Sequence, residues 1–259
     1  ADTDPGSDSD SESTATEFLE SPPDMDFDDV GGMSELKQDL LDKVVDPLER
    51  PDLYETYNLS VVNGVLLYGP PGTGKTHITQ ALAGKLGYNF IEVTPSDVTS
   101  SLVGEAADNV ATLFETAREN QPCLVFIDEI DAIAGQRSGG AQKTQSERQM
   151  VNQLLQELSA VQGEDVVVVA ATNVLDAVDD AIKRSGRFDE RIEVPPPDDQ
   201  ARTAILRVHL RNRPVLTEEI DWDYVAAETD GYSASDMELI ATNAARQALQ
   251  ETREHDEIQ

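Results

Sequence analysis

From residue 33 onward, hydrophobic positions switch between a helical period and short unbroken runs, the signatures of amphipathic helices and of buried strands. The spacing predicts a helix over Ser34 to Val45, ended before Pro47. Val65 to Tyr68 is a short apolar run of strand type. It is followed by a helical stretch from Lys75 to Leu86 and a second strand from Asn89 to Thr94. Ala106, Val110, Leu113, Phe114 and Ala117 then fall on one face of a helix from Ala106 to Glu119. Cys123 to Asp128 is apolar up to its last residue, as in strands covered on both faces of a parallel sheet. Ser146 to Val161 is helical through Met150, Val151, Leu154, Leu155 and Leu158. Val166 to Ala171 and Arg191 to Val194 supply a fourth and a fifth strand. Strands alternating with helices imply right-handed crossovers, and hence an α/β fold with a parallel sheet sandwiched by helices.

The run Pro195-Pro196-Pro197 ends that alternation. Beyond it the pattern is helical only: Gln200 to Leu210, Asp223 to Glu228 and Ser235 to Thr252. In the last, Met237, Ile240, Ala241, Ala244, Ala245 and Ala248 share one face. Residues 1–26 are mostly Asp, Ser, Glu, Thr and Pro, and bury too little apolar surface to offset their ordering entropy. The expected organisation is a disordered acidic tail over 1–26, serving as solvated spacer or partner-binding segment, an α/β domain over 27–197, and a small all-helical domain over 198–259. No internal repeat is visible.

Composition changes the picture mainly through charge. No apolar run approaches the roughly 20 residues of a membrane span, and no basic-then-apolar leader opens the chain, so a soluble, cytoplasmic protein is expected. The single cysteine, Cys123, forbids an internal disulfide and reads as a small buried thiol. The formal net charge is -32. Residues 1–29 hold 11 acidic and no basic residues, which leaves 51 − 11 = 40 acidic against 19 basic, a net of -21, on the rest. The acidity therefore coats the folded part too. Such a surface suits a salt-loaded cytoplasm, where screening damps self-repulsion, and a halophilic source is expected. It also argues against unaided nucleic-acid binding, which Lys and Arg drive by displacing counterions.

The strongest chemical signal is Gly69-Pro70-Pro71-Gly72-Thr73-Gly74-Lys75-Thr76, directly after a strand and opening a helix. Glycines let backbone N–H groups curl around phosphate, and the helix N-terminus adds its dipole. Lys75 is expected at the β- and γ-phosphates of ATP and the Thr76 hydroxyl on Mg²⁺. The apolar strand ending in Asp128 and Glu129 delivers two carboxylates where parallel sheets bind ligands. Asp128 is assigned to magnesium through water, and Glu129 to the attacking water. An Asp-Glu pair can also merely cap the helix that follows. About 50 residues downstream of the glycine loop, the pair takes the catalytic reading. Asp131 reads as a supporting residue. Asn173, in Ala171-Thr172-Asn173, either hydrogen-bonds the γ-phosphate or the lytic water, or simply caps its strand. Arg184 and Arg187 are either surface charge or phosphate ligands; an arginine at transition-state charge is worth ~10³–10⁵ in rate.

Taken together, residues 27 to 253 resemble an ATPase module of the AAA family in its narrow sense, most of all the first-ring domains of archaeal valosin-containing-protein-like ATPases. The matching stretches are Phe27 to Gly32, Gly64 to Thr76, Val125 to Asp131, Ala170 to Asn173 and Ser185 to Asp189. The resemblance implies hexameric rings with ATP at subunit interfaces, so Arg187 and Arg184 would act on the neighbour's ATP, with Asn173 as sensor. It maps an adenine pocket onto Asp29, Val30 and Gly31. From the helical domain, read as a lid, the pocket takes His209 (nucleotide contact or ordinary packing) and the turn at Ala234 and Ser235. His77 adjoins the phosphate loop within the nucleotide-binding stretch, where the family usually has an aliphatic residue, and reads as a tolerated change with no special role. The polypeptide-threading pore loop corresponds to Leu102, Val103 and Gly104, with Leu102 where the family most often has an aromatic; Leu102 and Val103 could also simply pack. The usual last lid helix is short or absent after Glu254, so an incomplete lid is expected. Neither a His-Glu-x-x-His nor an Asn-Lys-x-Asp motif occurs. The implied activity is Mg-dependent ATP hydrolysis coupled to protein remodelling. The implied partners are further copies or related ATPases in the ring, and protein substrates or adaptors. The alternative is a regulatory ATP-binding module that assembles with another AAA ATPase without threading substrate; a DNA-linked motor fits the acidic surface worst.

Overall fold

The computed structural model describes residues 19–59, 62–99, 105–135, 144–184 and 186–256. Six strands form one sheet: β1 (Leu19–Glu20), β2 (Gly64–Tyr68), β3 (Asn89–Val93), β4 (Cys123–Ile127), β5 (Val166–Thr172) and β6 (Glu190–Glu193), in the order β1-β3-β4-β5-β2-β6. All neighbours pair parallel except β1, which runs antiparallel along β3 with Leu19 opposite Ile91. Val, Ile, Leu and Phe fill the inner strands because both faces are covered. Val65, Leu67, Leu124, Phe126, Val167 and Val169 pack one face against Ile78 and Leu82 of α4 (Lys75–Leu86) and against Leu36 and Leu40 of α1 (Ser34–Leu40). Leu66, Val125, Ile127, Val168 and Ala170 pack the other against Val110 and Phe114 of α6 (Glu105–Glu119) and Met150, Leu154 and Leu158 of α8 (Gln145–Ala160).

Register sets the site. Tyr68 pairs with Thr172, and Ile127 with Ala170, so the carboxyl ends of β2, β4 and β5 open on one edge. The residues that follow, Gly69, Asp128 and Asn173, emerge there together. Gly69 N–H donates to the Thr172 carbonyl at 3.3 Å and Asp128 N–H to the Val93 carbonyl at 2.9 Å.

Two expectations are corrected. Residues 19–26 are not part of a disordered tail: Leu19 and Glu20 extend the sheet, and Met25 packs against the core. Sequence composition misjudged them because two apolar side chains, Leu19 and Met25, are enough once an open strand edge supplies backbone partners. The first helix also does not end before Pro47. It passes through a π-helical turn, Leu41–Val45, into α2 (Asp46–Glu49), with Pro47 buried in its first turn. The wider turn re-phases the hydrogen bonds, since Asp46 N–H reaches Leu41 rather than Asp42, and the missing proline N–H costs nothing there. Helices α3 (Pro51–Thr56), α5 (Pro95–Val98) and α7 (Ile130–Ala134) are short additions at loop ends.

Past Val194 the chain forms three helices, α9 (Asp199–Leu210), α10 (Trp222–Glu228) and α11 (Ala234–Asp256), around Ile205, Leu206, Leu210, Met237 and Ala241. The fold is thus an α/β sheet domain followed by a helical lid, as the pattern predicts. Arg202 is buried at the join. Its guanidinium donates to the carbonyls of Pro197 (3.1 Å) and Ala226 (3.0 Å), to Asp199 Oδ1 (2.7 Å) and to Thr229 Oγ1 (3.2 Å). The apolar face predicted along the last helix is used only at its start. Met237 and Ala241 are buried, whereas Ala244, Ala245 and Ala248 are exposed, because α9 and α10 reach no further along it.

Candidate active site

The loop Gly69–Thr76 turns from β2 into α4 through Gly72 (φ +73) and Gly74 (φ +90), left-handed positions that favour glycine. The Lys75 ammonium folds back into it. It donates to the carbonyls of Gly69 (2.8 Å) and Pro70 (2.8 Å), and to Asn173 Oδ1 (2.9 Å) at the end of β5. Burial pulls the Lys75 pKa down, while Asp128 and Asp131 oppose that shift. Thr76 Oγ1 stands 3.4 Å from Asp128 Oδ2. Asp128 Oδ1 in turn accepts from the Glu129 N–H at 2.8 Å. Glu129 itself sits in the left-handed region (φ 47, ψ 46). For a residue with a Cβ that is uncommon, and such strain concentrates at functional sites. Asp131 accepts from the Thr172 hydroxyl at 2.6 Å, and Thr172 Oγ1 accepts from the Val174 N–H at 3.1 Å. Asp131 therefore braces the strand end that presents Asn173, a supporting role.

These residues line a cleft of about 420 Å³ between the sheet edge and the helical lid. The cleft gathers Pro71, Gly72, Thr73, Gly74, Lys75, Thr76 and His77 with Asp128, Glu129 and Asn173. Its lining also takes in Asp29, Val30, Gly31, His209, Ala234 and Ser235. Gly69 and Pro70 lie beneath, as carbonyl acceptors for Lys75. The lid touches the loop directly, since Ser235 N–H donates to the Gly72 carbonyl at 3.1 Å. Arg211 clamps the N-terminal segment from the lid side, reaching Asp29 Oδ1 and the Asp28 carbonyl, each at 2.9 Å. Gly31 is required by packing: a Cβ there would overlap the α9 backbone at Ile205. The His77 and His209 rings, one from the sheet domain and one from the lid, stack with centroids 6.4 Å apart. Burial lowers the His209 pKa, aided by His77 and Arg213 and opposed by Glu238.

Four cleft-lining residues escape the sequence reading: Met33, Ile205, Val208 and Glu238. Helical spacing contained a signal for two of them, since Ile205 is four residues before His209 and Glu238 four after Ala234. Met33 carried none; it arrives through a left-handed backbone (φ 56). Arg184 and Arg187 do not join the cleft. Arg184 is exposed, and the half-buried Arg187 edges an open groove along α8, beside Asn152, Gln156 and Ser159. Its guanidinium donates to the Ala181 carbonyl. Leu102, Val103 and Gly104 lie outside the described residues.

A parallel sheet whose strand runs into a Gly-Lys-Thr loop, with carboxylates on a nearby strand end and a helical lid above, is the architecture of the P-loop ATPases. Among these the chain belongs to the AAA family: residues 65–196 match the model of the ATPase family associated with various cellular activities, and residues 219–259 that of the AAA+ lid domain. The chain is 40% identical over 240 residues to the cell division cycle protein 48 homolog of Archaeoglobus fulgidus, covering 92% of this chain and 32% of that protein. Proteasome-activating nucleotidase 1 of Haloferax volcanii is 38% identical over 239 residues, 91% of this chain and 58% of that protein. An ATP-dependent zinc metalloprotease FtsH of Halothermothrix orenii is 42% identical over 221 residues, 85% of this chain and 35% of that protein. The chain therefore spans about one third to three fifths of the length of these relatives. Identities this similar to three differently named proteins do not single out one of them.

Proposed function

We propose that the chain binds ATP in the cleft between sheet and lid and hydrolyses it with Mg²⁺, in a ring of copies or related subunits that remodels protein. The observation that carries this is the convergence of Lys75, Asn173, Asp128 and Glu129 from three strand ends onto one cleft lined by the Gly69–Thr76 loop. The donor set suits Mg²⁺. A hydroxyl and a carboxylate stand 3.4 Å apart, both hard oxygens, and among the described residues no three acidic, His or Cys side chains could hold a metal by themselves. Magnesium is typically held this way, by one or two carboxylates completed by substrate phosphates. When bound, it neutralises charge on the phosphate oxygens.

In this reading the loop N–H groups and Lys75 hold the phosphates, and His77, His209, Asp29, Val30, Gly31, Ala234 and Ser235 enclose the nucleoside. Glu129 orients a water for in-line attack on the γ-phosphorus; the bond to the ADP oxygen breaks, giving ADP and phosphate. Asn173 hydrogen-bonds the γ-phosphate or the water, and charge that builds up in the transition state meets Lys75. Arg184 and Arg187 lie away from their own cleft, which supports their action on a neighbour's nucleotide. Among the described residues no helix is long and apolar enough to cross a membrane. A cytoplasmic setting, with protein substrates delivered by an adaptor, completes the proposal. The names of the nucleotidase and metalloprotease relatives point to protein breakdown as the coupled process.

The test is ATPase rate against protein concentration in high-salt buffer with Mg²⁺, for wild type, Glu129→Gln and Arg187→Ala. The per-chain rate should rise with concentration, and each variant should lose about 10²-fold or more while still binding nucleotide. Binding with negligible turnover at every wild-type concentration would instead mark a regulatory module, and equal rates in dilute and concentrated protein would remove the role in trans.

A further inference from the structure

The amino ends of the strands, opposite the cleft, carry a second constellation that the hydrolytic reading leaves unused. Gly64 opens β2, and a Cβ on it would overlap the carbonyl oxygen of Arg187 and crowd Phe188 Cα at 3.3 Å. Its backbone is not left-handed, so what calls for glycine here is the close approach of the arginine turn. The same turn is gripped from the other side. Gln162, in the bend between α8 and β5, donates its amide to the Gly186 carbonyl at 2.6 Å. Next to Gly64, the Asn63 amide donates to the carbonyls of Glu164 (3.1 Å) and Val166 (2.9 Å), which fixes that bend to the start of β2. Phe188, fully buried, anchors the turn in the core.

We propose that Gly64 and Gln162 are positioning residues for Arg187, and that β2 registers this arginine to the chain's own phosphate loop. This rests on the reading in which Arg187 serves a neighbouring subunit. The strand's amino end seats Arg187 and its carboxyl end becomes Gly69, about 16 Å away at roughly 3.3 Å per residue. A shift of the loop around nucleotide is thereby passed, along one short buried strand, to the arginine offered next door. Loss of the Gln162 amide leaves the cleft intact and lets the turn drift. A misplacement near 1 Å costs about 10²-fold in such chemistry.

The experiment uses mixtures of full-length chains. Glu129→Gln chains have a dead site and a working arginine; Arg187→Ala chains have the reverse, so mixing them restores ATPase at mixed interfaces. Adding Gln162→Leu to the Glu129→Gln partner should cut the restored rate about 10- to 100-fold. Adding it to the Arg187→Ala partner should leave the rate unchanged, as should Gln162→Arg, which keeps a donor, in either partner. Fluorescent ADP should bind Gln162→Leu chains as it binds wild type, with the same unfolding temperature. Equal effects of Gln162→Leu in both partners, or none in the arginine-donating one, overturn the positioning role. If the parent pair restores nothing, the reading in trans fails, and the inference with it.

Discussion

Lys75 shows how one side chain can be prepared by its own loop. Three oxygens hold the ammonium at hydrogen-bond distance while burial lowers its pKa, so the cation is partly desolvated and fixed in the loop. Glu129 is prepared differently, through a left-handed backbone that no sequence pattern announces. Cys123 marks the opposite case. It is wholly buried in β4, and burial pushes its thiol up to about 12. The thiolate is the reactive form, and at pH 8 it is essentially absent. Native protein should therefore leave a colorimetric thiol reagent uncoloured over hours, and unfolded protein should react within minutes with one thiol per chain. Rapid labelling of the native chain would mean that β4 opens far more readily than its packing implies. At this scale the sequence was informative where a motif fixes residue types in a local frame: Lys75, Thr76, Asp128 and Glu129 all line the one cleft. It was silent on Met33, which reaches the cleft only because distant segments fold together.

Among the elements, the inner strands were legible because burial on both faces leaves only apolar residues, and helices such as α6 and α8 because each has one buried stripe. β1 was not, because two residues at an open edge carry no period. The tie that holds this N-terminal segment does show in α4. Gly84 sits mid-helix, where glycine costs about 1 kcal/mol against alanine. A Cβ there would overlap the carbonyl oxygen of Met25 and press on that of Pro23 at 2.6 Å. The segment crosses α4 at this notch on its way from β1 to Asp29, Val30 and Gly31 in the cleft. Gly84→Ala should thus lose stability overall, the gain in helix propensity being outweighed by about 1–3 kcal/mol of overpacking, and should weaken nucleotide binding. Urea melts and ADP titration check this, and a stabilised variant with unchanged ADP affinity would show that the crossing is loose. The linker at Pro195-Pro196-Pro197 was legible as a break in pattern. That Arg202 would lock it to α9 and α10 was not, since a buried arginine looks like any surface arginine in sequence.

For the molecule as a whole, the net charge of -32 dominates. Only a few positive groups interrupt it near the cleft, among them Lys75 and Arg211. Self-repulsion in a compact body falls as salt shortens the screening length, from about 10 Å at 0.1 M to about 3 Å at 1 M. The unfolding temperature should accordingly climb by several degrees between 0.1 and 2 M KCl, and by less in a variant with five exposed Asp or Glu replaced by Gln. A chain most stable in dilute salt would contradict the proposed adaptation to concentrated salt.

Helix α11 has a mechanical consequence. Its root, at Ala234, Ser235 and Glu238, walls the cleft and bonds to Gly72, while Asn243 to Arg253 are exposed. Those last turns, Asn243 to Asp256, extend about 20 Å at 1.5 Å per residue. The helix is a pointer: measured from its root, roughly 30 Å away at 1.5 Å per residue, a 10° tilt too small to widen the cleft by much swings the tip by about 5 Å. A dye near the tip will register motions of the lid that a dye beside the nucleotide cannot resolve. By the same geometry, a weak sideways force on the tip exerts several times its strength where the lid meets the phosphate loop.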